Sequence, residues 1–286
     1  MNKIVFLIQC PDQKGLMAGI TDFFAKRGYN ILHCQQHTDL QQGRYFMRIA
    51  VDMQDLKSSR QELEEQFGTF AEPLSLSWSV HYTDQVPRIA LMVSKTSHCL
   101  YDIIFRQKEG DITCSIPLII SNHPDLEYVS DQFRIPFYCL PISKENKPEQ
   151  EKQVQQLLKK HHVDVVVLAR YMQILSPEFL EACPGSIINI HHAFLPAFQG
   201  ANPYRRAYER GVKMIGATAH YATADLDQGP IIEQDVVRVN HELSPQGLRK
   251  VGKDVERQVL SRALQAHLEH RVIVSGNRTI VFSHEK

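Results

Sequence analysis

The chain carries no net charge: 32 lysines and arginines balance 32 aspartates and glutamates over 286 residues, and the isoelectric point is near 7.2. That balance supplies neither a basic footprint for nucleic acid nor a polybasic patch for an anionic membrane, so neither partner is expected. Long apolar runs are missing as well. Met1-Asn2-Lys3 leads straight into a short segment, Ile4 to Gln9. That segment is too brief for a secretory core, and no later run is long enough to span a bilayer. Cysteine is sparse: Cys10, Cys34, Cys99, Cys114, Cys139 and Cys183 are scattered with no Cys-x-x-Cys pair. They read as small buried hydrophobes in a reduced, cytoplasmic protein. The 14 histidines include the neighbours His161-His162 and His191-His192, but adjacent side chains on a regular element do not converge on one ion. No Cys-rich cluster accompanies them, so no metal is expected.

What is present is length and alternating pattern. At 286 residues the chain exceeds the usual single-domain size, and two domains are the prior. Residues 3–9 suit a strand around Ile4, Phe6 and Ile8. Leu16, Ile20, Phe23 and Phe24 follow at helical spacing, closing near Gly28. Residues 30–39 and 44–52 read as a hairpin around Gln41-Gln42-Gly43. A helix over 58–67 and a strand over 74–82 complete the set. The order strand-helix-strand-strand-helix-strand (βαββαβ) is the split βαβ arrangement of ferredoxin-like domains. With Cys10-Pro11-Asp12-Gln13-Lys14-Gly15-Leu16 it resembles an ACT domain. That resemblance implies a regulatory role, a ligand such as an amino-acid effector held near Asp12, Gly15 and Leu16, and a homo-oligomer, since ACT-like domains commonly pair. The alternative for the same residues is a turn and helix cap alone.

Thr83-Asp84-Gln85-Val86-Pro87 breaks the pattern, so the domains are expected to be 1–83 and 84–286. Beyond it, strands at 88–93, 113–121, 137–141, 163–168, 214–220 and 231–239 alternate with helical stretches at 99–107, 125–133, from 144 and at 246–267. The whole is therefore read as α/β, with a Rossmann-like second domain built on a mostly parallel sheet.

Within that domain Ser186 to Gly200 is an apolar run ending in a Pro/Gly-bounded loop. Asn189 and His191 are two apart, so on a strand they face one way, at the strand end where open α/β sheets place reacting groups. Ala224 to Pro230 offers Asp227 in a turn. A carboxamide, an imidazole and a carboxylate are the parts that activate water and hold an oxyanion. His192 is expected on the opposite face, and Asp225 outside the site. Leu168 to Pro177 reads as a strand-to-helix connection capped by Ser176.

Asn189-Ile190-His191 with Leu195-Pro196 and Gly200, then Leu226-Asp227-Gln228-Gly229-Pro230-Ile231, resembles the signature of the folate-dependent formyltransferase superfamily. The resemblance implies catalytic roles for Asn189, His191 and Asp227, and a folate-binding loop in which Tyr171, Met172 and Leu175 line the pterin slot. It also implies 10-formyltetrahydrofolate as substrate, with no cofactor. Ala193 departs from the superfamily's usual serine. Because every member carries the formyl group on folate N10, the acceptor decides the function. The stretch Val93 to Cys99 has no glycine where glycinamide ribonucleotide transformylases turn around a phosphate. The neutral charge and the short remainder after the long helix disfavour a tRNA acceptor. Water remains. The branch that joins an ACT domain to this domain, in this order, hydrolyses 10-formyltetrahydrofolate to tetrahydrofolate and formate, feeding purine synthesis and balancing one-carbon pools. A formyltransferase with an unidentified amine acceptor, or a binding protein without turnover, are the alternatives.

Overall fold

The computed structural model describes residues 2–183, 185–197 and 203–284. Phe198, Gln199 and Gly200 of the loop motif lie outside the described residues. The chain forms two compact units: 1–86 with 269–275 and 280–286, and 87–268 with 276–279. Residues 269–275 and 280–286, placed by the sequence reading in the second domain, therefore go with the first.

In the first unit β1 (Lys3–Pro11), α1 (Leu16–Lys26), β2 (Ile31–Asp39), β3 (Arg44–Asp52), α2 (Arg60–Ala71) and β4 (Ser77–Tyr82) build an antiparallel sheet in the order β2-β3-β1-β4. The last strand starts later than its pattern suggests, because Glu72–Leu74 takes a 3-10 turn. Alternation decides which side chains meet. Ile4, Phe6, Ile8, Tyr45, Met47 and Ile49 share one face with Phe23, Phe24, Leu63 and Phe67 of the helices. Phe6 sits 4.6 Å from Phe67 and 5.1 Å from Phe24, ring to ring. Aromatic pairs at such distances add to their burial.

The other face is covered too, which explains why β3 is buried along almost its whole length. The chain's last strands, which follow the second unit and are labelled with it below, bring Ile273, Ile280 and Phe282 against Leu7 and Phe46. Arg48 is only 3% exposed and donates from Nε and Nη2 to the carbonyls of His270 and Glu269 at 2.9 and 3.2 Å. These contacts are the physical reason that the tail belongs to this unit.

The second unit runs β5 (Arg88–Val93), α3 (His98–Glu109), β6 (Ser115–Ser121), α4 (Tyr128–Phe133), β7 (Phe137–Cys139), α5 (Lys147–Lys160), β8 (Val165–Leu168), α6 (Pro177–Ala182), β9 (Ser186–His191), α7 (Pro203–Arg210), β10 (Met214–Tyr221), β11 (Ile231–Arg238) and α8 (Pro245–Leu268). The tail hairpin, β12 (Val272–Ser275) and β13 (Arg278–Val281), follows. The seven-stranded sheet has the order β11-β10-β9-β8-β5-β6-β7. Strands β9, β8, β5, β6 and β7 are parallel, while β10 is antiparallel to both its neighbours. One face buries Ala90, Met92, Leu118, Ile120, Val166 and Leu168 under Val154 and Leu158 of α5 and Phe179 of α6. On the other, α8 packs against β9, β10, β11 and α3. From β5 the chain winds outward through β6 and β7, then returns to the far side of β5 for β8 and β9. Connections diverge at the carboxyl ends of β5 and β8, and a crevice opens at such a switch point.

Candidate active site

A cavity of about 760 Å³ occupies that crevice, lined by residues from the ends of β5, β8, β9 and β10 and from the loop carrying Asp227. The strand register sets its chemistry. Asn189 and His191 are two apart on β9 and share a face; in the antiparallel pairing Thr218 lies opposite His191 and His220 opposite Asn189. Four polar side chains are thus delivered by two short strand ends.

The Asp227 turn brings the carboxylate to them. Asp227 adopts φ 55, and Gly229 leaves no room for a side chain: a Cβ there would stand 1.8 Å from the carbonyl oxygen of Tyr221. The backbone must be this close because the Tyr221 N–H donates to Pro230 O at 3.0 Å. His191 Nδ1 lies 3.2 Å from Asp227 Oδ1 and His220 Nε2 lies 3.6 Å from the same oxygen. Burial alone would raise the Asp227 carboxyl, but the hydrogen bond donated by His191 outweighs it and holds the group well below the usual carboxylate range.

The tautomers follow from the partners. His220 Nδ1 is 2.9 Å from the carbonyl of Tyr221, an acceptor, so it carries the proton there. Nε2 is then bare and accepts from Asn189 Nδ2 at 3.2 Å. Asn189 is thereby held with its second N–H free. With its Nδ1 proton directed at Asp227, His191 presents Nε2, which is buried and without a hydrogen-bond partner. An unpartnered basic nitrogen in a polar cavity is costly for stability and suited to reaction.

The sequence singled out Asn189, His191 and Asp227, and the structure brings all three into this cavity. Tyr171, Met172 and Leu175 line it as well, in different ways. Met172 is 56% exposed, whereas the Tyr171 ring is buried in the core, with its hydroxyl accepting from Gln150 at 3.2 Å. His192, expected to face away, lines the same cavity, because β9 ends at His191 and strand alternation stops there. Asp12, Gly15 and Leu16 are in the first unit. Asp12 is exposed, Gly15 begins α1 at φ 87, and the Leu16 side chain is core.

Several supporting residues escape sequence reasoning. Ser94 Oγ donates to Asn122 Oδ1 at 2.6 Å and accepts the Met172 N–H at 3.0 Å, pinning the 170–176 loop to the end of β5. Glu151 is 6% exposed and holds the other end of that loop through the N–H and hydroxyl of Ser176. Thr218 donates to Ala193 O and receives from the N–H of Leu195 and from Gln234, fixing the loop after β9. These three bonds anchor the loop beside Ala193, where the usual serine hydroxyl is missing. Thr218 and His220 lie in the run Gly216 to Tyr221, but only strand pairing reveals what they face.

A doubly wound domain with this triad at its switch point defines a class. The family model described as formyl transferase matches residues 87–264 and the ACT domain model residues 4–68, and the chain belongs to the formyl transferase family with an ACT domain ahead of it. It is 54% identical over 277 residues to the formyltetrahydrofolate deformylase of Synechocystis sp., covering 97% of each chain. A solved formyltetrahydrofolate deformylase from Pseudomonas syringae pv. tomato is similar at a TM-score of 0.95 and 43% identity, with 99% of this chain and 95% of that one covered. A glycinamide ribonucleotide transformylase from Symbiobacterium toebii is similar at 0.65 and 28% identity, over 72% of this chain and 98% of that one.

Proposed function

We propose that the protein hydrolyses 10-formyltetrahydrofolate to tetrahydrofolate and formate. The observation that carries this reading is the unpartnered His191 Nε2 inside the cavity, backed by Asp227 and flanked by Asn189. Nε2 takes a proton from water as the water oxygen attacks the formyl carbon. Asp227 steadies the imidazolium, and the free N–H of Asn189 donates to the oxyanion. Collapse breaks the bond to N10, which receives the proton held by His191, and formate leaves. The folate ring lies against Met172 and Leu175, with Tyr171 anchoring their loop. No cofactor takes part.

A relative named formyltetrahydrofolate deformylase at 54% identity supports water as acceptor over an amine. The glycine-free turn after β5 supports the same choice. We infer a cytoplasmic enzyme that supplies formate to purine synthesis and balances one-carbon folates; among the described residues no helix is long and apolar enough to cross a membrane. The ACT domain points to an amino-acid effector near Asp12 and Gly15, and to a homo-oligomer. Activity of the full chain titrated with amino acids tests the effector: a response that Asp12→Ala removes supports it, and no response to any amino acid refutes it. The assignment of the reaction is tested by supplying 10-formyltetrahydrofolate alone. Equimolar tetrahydrofolate and formate are expected, and turnover that waits for an added amine refutes hydrolysis.

A further inference from the structure

Beside the triad lies a second polar cluster with no part in the steps above. It adjoins His191 through His192, whose ring centroid is 5.2 Å from that of His191 and 6.1 Å from that of Tyr204. At its centre Glu256, 1% exposed on α8, meets His98 Nε2 at 2.8 Å, Tyr204 Oη at 2.5 Å and Arg170 Nε at 3.4 Å. Three other elements thus converge on one buried carboxylate of α8 at the carboxyl ends of β5 and β8.

The arrangement is expensive. Arg170 holds φ 69, a region where a long side chain is an outlier, and its Nε and Nη1 are buried without hydrogen-bond partners. Buried ion pairs are on balance no more stabilising than apolar packing of the same volume. Gly252 on α8 is required as well, since a Cβ there would stand 2.2 Å from Tyr204 Oη. Glu256, His98 and Cys99 could group around a metal ion, but the Arg170 guanidinium already supplies the cation. A fold keeps so costly a device where a ligand would otherwise enter.

Its position says which ligand. Glu256 lies against the side chains of the first turn of α3, His98 and Cys99, at the helix end that attracts anions. A transferase of this family must seat a second substrate beside the formyl carbon. Here the Arg170 side chain of the protein itself lines the cavity that holds the triad, with the buried Glu256 carboxylate 3.4 Å behind it.

We propose that the Arg170–Glu256 pair, tied down by Tyr204 and His98, is a plug that closes the acceptor side of the cavity and so determines that water, not an amine, receives the formyl group. The proposal rests on the deformylase reading of the triad. In the step the plug suppresses, an amine nitrogen attacks the formyl carbon, the bond to N10 breaks, the amine gives up a proton and N10 gains one.

The test uses the full chain, 10-formyltetrahydrofolate, and hydroxylamine or glycinamide as added amine. Tetrahydrofolate, formate and N-formyl product are measured together. Arg170→Gly suits the left-handed backbone and removes the side chain; paired with Glu256→Gln it leaves no lone buried charge. Wild type is expected to give formate with or without amine. The double variant is expected to divert at least about tenfold more formyl to the amine, a change of ~1.4 kcal/mol in relative barriers. An unchanged partition overturns the plug. Should the double variant fail to fold by circular dichroism, Arg170→Asn with Glu256→Gln, in which asparagine tolerates the left-handed backbone and no buried charge is left alone, is read in the same way. Wild type that makes no formate from water would refute the deformylase reading itself, a different outcome from an unchanged partition.

Discussion

Replacing Asp227 by Asn probes the triad at its most informative point. The shape is kept, but the carboxylate 3.2 Å from His191 Nδ1 becomes an amide. Its NH₂ group can donate to Nδ1, which moves the imidazole proton to Nε2 and leaves no lone pair facing the water. It also removes the negative charge that steadies the imidazolium. Loss of an orienting carboxylate with a tautomer switch lowers turnover by roughly 10³–10⁴, or about 4–5.5 kcal/mol of barrier. The folate-lining residues are untouched, so kcat is expected to fall while KM changes little. The assay follows tetrahydrofolate and formate at saturating substrate. A kcat within about tenfold of wild type would refute the dyad. Stability gives an independent check. A carboxyl held below its unfolded value stabilises the fold at neutral pH and loses that contribution as pH falls through the depressed range. Asp227→Asn is therefore expected to lower Tm at pH 7, with the gap to wild type closing toward acid. A gap that widens in acid would contradict the account.

The remaining expectations are shorter. Asn189→Ala removes the oxyanion donor and is expected to cost about 2.7–4 kcal/mol in kcat, measured in the same assay. Ser94→Ala frees the Met172 N–H from the end of β5 and should raise KM for the folate more than it lowers kcat. His192 is kept neutral by burial and by the charge of Arg170, its pKa pushed down to about 3. The unfolded chain binds that proton first, so wild-type stability falls as pH drops below about 6.5. His192→Gln should flatten that slope in urea titrations between pH 6.5 and 4. Phe67→Ala opens the crowded aromatic core of the first unit and is expected to cost about 3–5 kcal/mol by denaturant unfolding.

Local pattern carried much of this structure. The βαββαβ order and the strand holding Asn189 and His191 follow from periodicity, because each strand's alternation is set by which face it buries. The Asp227 turn was legible from Asp-Gln-Gly-Pro, since the close approach of Tyr221 O tolerates only glycine at 229. What could not be read depends on partners far apart in sequence. His220 faces Asn189 only because β10 pairs antiparallel to β9. The Arg170–Glu256 contact joins residues 86 positions apart on elements whose packing no local signal encodes. The tail is a different case. Gly276-Asn277 between two β-branched runs is a hairpin signal, with Gly276 at φ 59. Reading residues 84–286 as one domain passes over it, because nothing local says which sheet the hairpin covers. His192 shows where alternation ends: one residue past β9 it no longer predicts a face.

The central claim is that water is the acceptor, and turnover in H₂¹⁸O tests it most directly. The account predicts that formate released from 10-formyltetrahydrofolate carries one ¹⁸O from solvent, in step with tetrahydrofolate and with no amine present. Formate without label, or no formate until an amine is supplied, would contradict it.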